Sequence, residues 1–149
     1  MEFTKIDQYI AARMRNWGEP AVRISFAIIF FWFGVLKPLG KSSAEGLLKA
    51  TVAWLPLGTP DLWLMVIGYW EMVIGIAFLF RSTTRLAIAL LFLQMIGTFM
   101  PLVFLPEITF QEGNYLLPTL EGQYIIKNVM IISAALVLGG YFYRKKSKQ

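Results

Sequence analysis

The sequence predicts an all-α protein, an integral membrane four-helix bundle with a short interfacial helix after the first span. Three observations carry that prediction. Of 149 residues, 57% are hydrophobic and only 15% are charged, whereas a soluble domain carries about 25% charged residues. Such a chain lacks the polar surface to solvate a globule, and its length allows a single domain, 1–149. Four stretches reach the roughly 20 apolar residues that cross about 30 Å of hydrocarbon as a helix. Finally, Lys and Arg gather at the edges of those stretches rather than along one polar face, so the expected partner is the lipid bilayer and not nucleic acid.

Residues 1–20 read as a cytoplasmic amphipathic segment, with Phe3, Ile6, Tyr9 and Ile10 beside Arg13 and Arg15. A helix lying on an anionic leaflet would look like this; the plainer reading is a positive-inside flank. The first span covers about 21–39. It is the weakest, because Arg23 and Lys37 bracket an apolar run of only about 20 Å as a helix. Ser42 and Ala44 loosely resemble a signal cleavage site, but the long basic segment before the span, with Pro38 and Lys41 after it, favours an uncleaved helix. Ser42 and Glu45 then suggest a capping box. Leu47, Leu48, Thr51, Val52 and Leu55 follow on one face, opposite an i,i+4 pair of Glu45 and Lys49. This is the expected interfacial helix, ending at Pro56.

The remaining spans are expected at 62–80, 86–105 and 124–143, followed by a basic tail at 144–149. Ten Lys and Arg residues fall on the side of the termini and four on the other, which places both termini in the cytoplasm. The long outer loop from Pro106 to Gln123 holds Glu107, Glu112 and Glu121 but no Lys or Arg, and its Phe110, Tyr115, Leu116 and Leu117 suggest that it packs over the bundle's outer mouth.

With no Cys and no His, the chain has no disulfides, no thiol redox step, no His-ligated haem and no ordinary zinc site. No metal cluster, nucleotide loop or nucleophile motif is present. What remains is a set of polar groups at membrane depth, each of which needs a partner or a task. Glu71 is the sharpest, too deep in the second span for its carboxylate to reach either surface. Leu64, Gly68, Glu71 and Gly75 fall on one helical stripe, as do Arg23, Ala27, Phe30, Gly34 and Lys37 in the first span. Gln94, Gly97, Thr98 and Pro101 repeat the pattern in the third. Three small or polar faces thus point to a common interior, where Gln94 lies level with Glu71 and where Lys37 and Lys127 sit above it. Register-fixing pairs, helix-helix hydrogen bonds and snorkelling lysines are the structural alternatives. Arg23 reads as part of the positive rim. Trp17, Trp63, Tyr124, Tyr141 and Tyr143 suit the aromatic belts, whereas Trp32 and Trp70 are deep enough either to pack in the core or to line a site for a flat apolar ligand.

The stretch RISFAIIFFWFGVLKP, from Arg23 to Pro38, resembles the opening helix of DoxX-like membrane proteins, with its leading Arg and its Gly-x-x-Lys. WEMVIGIAFLF resembles that family's Glu-x-x-x-Gly motif through Glu71 and Gly75, and LEGQYIIKN resembles the start of its last helix through Glu121, Gly122 and Lys127. The acidic outer loop is closer to the YkgB-like branch. The resemblance, over roughly 23–140, implies a four-helix bundle in the bacterial inner membrane, and some relatives are associated with sulfur or quinone redox systems. It leads to the expectation of an accessory or quinone-proximal membrane subunit of a redox or stress-related system, not an independent enzyme, with a redox partner protein supplying electrons. A small apolar ligand, a quinone among them, would meet Lys37 and Lys127 at a ring oxygen, Glu71 at a proton, and Trp32 or Trp70 at the ring face. A small proton-coupled transporter using Glu71 and working as a homo-oligomer is the alternative, as is a purely structural membrane protein.

Overall fold

The computed structural model describes residues 2–146, with side chains from 4 to 141. The basic tail therefore lies partly outside the described residues: Lys148 is beyond them, and the side chains of Arg144, Lys145 and Lys146 are not described. The elements are α1 (Glu2–Leu36), α2 (Glu45–Val52), α3 (Pro60–Leu79), α4 (Thr84–Phe99), α5 (Pro101–Phe104), α6 (Pro106–Thr109) and α7 (Leu120–Lys146). Four helical segments are long and apolar enough to cross a membrane, namely Thr4–Leu36, Pro60–Leu79, Arg81–Phe104 and Leu120–Tyr141. The long helices pack in a ring, α1 on α3, α3 on α4, α4 on α7 and α7 on α1. Phe26, Phe30, Ile74, Phe78, Leu91, Ala135 and Leu138 fill its core. Its outer surface is apolar, with Ile28, Trp32, Val66, Leu93, Met130 and Val137 all exposed, as suits helices that bury their other faces in lipid.

Close approach of α1 and α3 depends on glycine. A Cβ on Gly34 would lie 2.7 Å from the Gly68 carbonyl, and one on Gly75 would lie 2.5 Å from the Phe31 nitrogen. Both clashes are with backbone, so no side-chain rotation relieves them. The expected stripes face inward accordingly: Ala27, Phe30 and Lys37 of one and Leu64, Gly68 and Gly75 of the other are buried. Gly97 departs from the third stripe, being exposed, with open space where a Cβ would lie.

Several boundaries differ from those expected. The N-terminal segment is not separate: α1 runs unbroken from Glu2 through Pro20 to Leu36, short of the expected residue 39. Ser42 does not cap α2. Its carbonyl accepts from the Glu45 N–H at 3.2 Å, and Ala44 is the N-cap, with no side-chain bond. Glu45 is drawn away to Lys49, 2.6 Å from it, and α2 ends at Val52, before Pro56 can act. The third span is broken near its end because Pro101 has no N–H for the Gly97 carbonyl; the Met100 N–H supplies a tighter bond at 3.2 Å instead.

The outer loop is ordered but only partly buried. Thr119 donates from its hydroxyl to the Ile108 carbonyl at 2.7 Å and from its backbone to the Thr109 carbonyl at 2.9 Å, and Phe110 pairs with Pro118 in an isolated bridge. Gly122 lets α7 start directly against the Thr109 carbonyl, where a Cβ would collide. Phe110 is buried as expected, but Tyr115, Leu116 and Leu117 are exposed. The hairpin-like clamp holds their backbone outward, so the loop closes on itself more than on the bundle.

Candidate functional site

At mid-depth the ring holds a polar cluster built by three helices. Glu71 lies about 16 Å from Pro60 and about 12 Å from Leu79 along α3, at 1.5 Å per residue. Its Oε2 accepts from Lys37 Nζ, and its Oε1 accepts from Gln94 Nε2 at 3.1 Å. The pair is withdrawn from the surface, with side chains 7% exposed for Lys37 and 13% for Glu71. Lys37 follows directly on α1, and its stem reaches the carboxylate by crossing Gly68, where an added Cβ would meet the Lys37 Cβ at 2.9 Å. The glycine stripe that brings the helices together therefore also opens the lane for the ammonium group.

A crevice of about 150 Å³ adjoins this cluster. Ile29, Phe30 and Phe33 of α1, Met95 of α4 and Ile131 of α7 form its apolar wall, while Glu71, Gln94, Thr98 and Asn128 supply its polar lining. The hydrogen-bond inventory of that lining is lopsided. The Thr98 hydroxyl donates to the Gln94 carbonyl at 3.1 Å, and the Asn128 amide donates to the Tyr124 and Ile125 carbonyls at 3.1 and 3.0 Å. Donors are largely committed within the protein. The carboxylate, with room for about four hydrogen bonds, has accepted two here, and the Asn128 oxygen keeps its lone pairs.

The other sequence candidates stand apart. Lys127 is exposed, with its ammonium 5.1 Å from the centre of the Tyr124 ring on its own helix, because its position on α7 faces away from the ring's interior. Trp32 is exposed on the outer face of α1. Trp70 is half-buried against the core, and its Nε1 finds no acceptor among the described residues. Glu121 is exposed in the first turn of α7, where a negative charge suits the positive helix end. Neither tryptophan lines the crevice. Phe30 and Phe33 do, one helical step from Trp32 on a different face.

Sequence reading missed a second cluster. Glu19, whose side chain is 2% exposed, pairs with Arg81 Nη2 at 2.5 Å and with Arg23 Nε at 3.3 Å. Arg23 Nη1 also donates to the Phe78 and Leu79 carbonyls at 3.1 and 2.5 Å, closing the open C-terminal end of α3. The available signal was the i,i+4 spacing of Glu19 and Arg23 at the start of an apolar run. Asn128 was likewise overlooked, whereas Thr98, expected on the inward stripe of the third span, does line the crevice.

Comparison of the chain with family models, with curated proteins and with solved structures gives no match.

Proposed function

We propose that the chain is a multi-pass four-helix bundle of the bacterial inner membrane, with both termini cytoplasmic and α2 lying in the outer interface, that holds a small apolar ligand in its mid-depth crevice as an accessory subunit of a redox or stress-related system. One observation carries the reading: an aromatic and aliphatic wall faces a carboxyl group that accepts from Lys37 and Gln94 and still has lone pairs to offer. About 150 Å³ matches the size of cavity that takes up a single benzene-like ring, so the crevice admits one ring, with any tail leaving toward lipid. Because the lining offers acceptors, a ring bearing hydroxyl groups suits it better than a ring bearing carbonyls alone. A quinol is the member of the quinone class that this chemistry favours. Lys37 acts from behind as the hydrogen-bonding partner that holds the Glu71 carboxyl in place, and does not touch the ring.

The resemblance to DoxX-like proteins agrees with this reading and belongs to it as a proposal. Native mass spectrometry of the protein from gentle detergent, with a short-tailed quinol added, tests it. One ligand per chain is expected for the wild type, with weakened binding for Glu71→Gln and for Phe33→Ala. Equal retention by all three proteins would refute the crevice as the site.

A further inference from the structure

The first turns of α1 present a face that no part of the bundle covers. Ile6, Ile10, Met14 and Trp17 recur at helical spacing and are 57%, 50%, 69% and 65% exposed. We infer that residues 4–18 form an arm that lies on the anionic cytoplasmic leaflet with this stripe immersed among the acyl chains; the inference rests on the membrane reading above, though not on the crevice.

Three features point to lipid as the occupant. The stripe runs on down the same side of α1 into Ala21, Ile24, Ile28 and Trp32, also exposed, which is the side turned away from α3. A helix bent toward that side carries one continuous apolar face from the bilayer core onto the leaflet surface. The bend has a place to occur, because Pro20 cannot donate to the Asn16 carbonyl. On either side of it, Glu19 and Arg23, with Arg81, lock α1 to the end of α3, fixing the depth at which the arm leaves the bundle. The charge is also complementary. Arg13 borders the stripe on one side and Asp7 on the other, while Lys5 and Arg15 lie on the water side, so that three cations of residues 4–18 stand against one carboxylate. Arg13 folds back along the helix, its Nε donating to the Tyr9 hydroxyl at 3.1 Å and its guanidinium 5.2 Å from that ring's centre, a posture that keeps charge at headgroup level beside an apolar surface. An arm of this length, about 22 Å, and of mixed apolar and basic character matches helices that lie in the interface.

The chain has no cysteine, so single cysteines carry spin labels without background. Full-length protein labelled at Ile6, Ile10 or Met14, and at Gln8, Ala11 or Arg15, is reconstituted in phosphatidylcholine vesicles with or without phosphatidylglycerol. With phosphatidylglycerol, the first set should be accessible to oxygen and shielded from a water-soluble nickel reagent, and the second set the reverse. K5Q/R13Q/R15Q should reduce immersion sharply, each cation being worth roughly fivefold near an anionic leaflet. Labels at Ile28 and Trp32 report on the bundle independently: if they are not in lipid, the membrane reading fails and the arm's role with it. With those two in lipid, equal aqueous exposure of both sets along the arm would overturn the inference alone. Shielding of the first set from both reagents, the signature of a protein partner or a second copy, would also overturn it. Immersion unchanged in phosphatidylcholine alone would overturn the anionic selectivity.

Discussion

Two charged clusters lie along the same pair of helices and answer the cost of burying charge in different ways. Near the terminal end, Glu19 is clasped by two arginines, and Arg23 Nη1 donates to the carbonyls that end α3. At mid-depth, Lys37, Glu71 and Gln94 form a cluster whose carboxylate faces a crevice and keeps unused lone pairs. Burial alone does not separate the two, since the carboxylates of both are largely withdrawn from the surface. What separates them is what each carboxylate meets: Glu19 lies between two guanidinium groups, whereas Glu71 borders a crevice. The clasped cluster has the character of a fastener, and the one beside the crevice has the character of a site.

That contrast predicts unequal responses to mutation. Arg23→Leu removes an ion pair and two helix-end hydrogen bonds together, and should destabilise by about 3 kcal/mol, the lower end for a broken buried pair. The midpoint of thermal or denaturant unfolding in detergent measures it. A cost below that of Glu71→Gln would reverse the assignment of the two clusters. Gly75→Ala comes next, because its Cβ would strike the Phe31 backbone between the two levels, and overpacking of this kind costs about 1–3 kcal/mol. If the helices are held mainly by the ion clusters rather than by close backbone contact, Gly75→Ala will unfold at the wild-type midpoint. Glu71→Gln keeps a partner for Gln94 and leaves Lys37 a stem long enough to turn outward, so its stability cost should be about 1 kcal/mol. Its effect on ligand retention should be much the larger one.

Much of this architecture is legible in the chain. Four apolar stretches, the small-residue stripes and the depth match between Glu71 and Gln94 follow from helical arithmetic, and the structure brings Lys37 to Glu71 as that arithmetic allows. The arithmetic failed where the chain departs from ideal helix or where the competition was between side chains. Gly97 falls off its stripe just before the Pro101 break. Glu45 prefers the ammonium of Lys49 to the capping geometry that Ser42 offered. Lys127 is at the right depth but on the wrong face of α7, and depth is all that distance from a span's end can reveal. Glu19 escaped notice because its main partner, Arg81, is 62 residues away, in a turn whose docking no local pattern encodes. Tyr115, Leu116 and Leu117 were expected to be buried because they are apolar, but the pairing of Phe110 with Pro118 and the bonds of Thr119 hold their backbone outward, which side-chain polarity does not reveal.

The smallest effect concerns a third charged group, Lys49, which lies outside the spans and serves as the exposed counterpart to both buried clusters. Its Nζ is 2.6 Å from Asp61 at the start of α3 and 2.6 Å from Glu45 within α2, so it ties the surface helix to the bundle. The hydrogen bond to Asp61, followed by that to Glu45, raises its pKa above the ordinary value of 10.5. The folded form therefore holds the proton more tightly than the unfolded form. Whatever stability the raised pKa contributes is fully present below about pH 10.5 and is lost as the pH rises through the higher folded value. Exposure and salt screening keep this contribution small, so it should appear as local loosening of α2 and not as global unfolding. Amide hydrogen exchange across Glu45–Val52, compared between the wild type and Lys49→Met on either side of that pH, isolates it from the titration of tyrosines elsewhere. The wild type should lose protection in α2 relative to the mutant only on the alkaline side, and the step should shrink in high salt. A mutant that shows the same alkaline step would mean that the pair with Asp61 does not hold α2 in place.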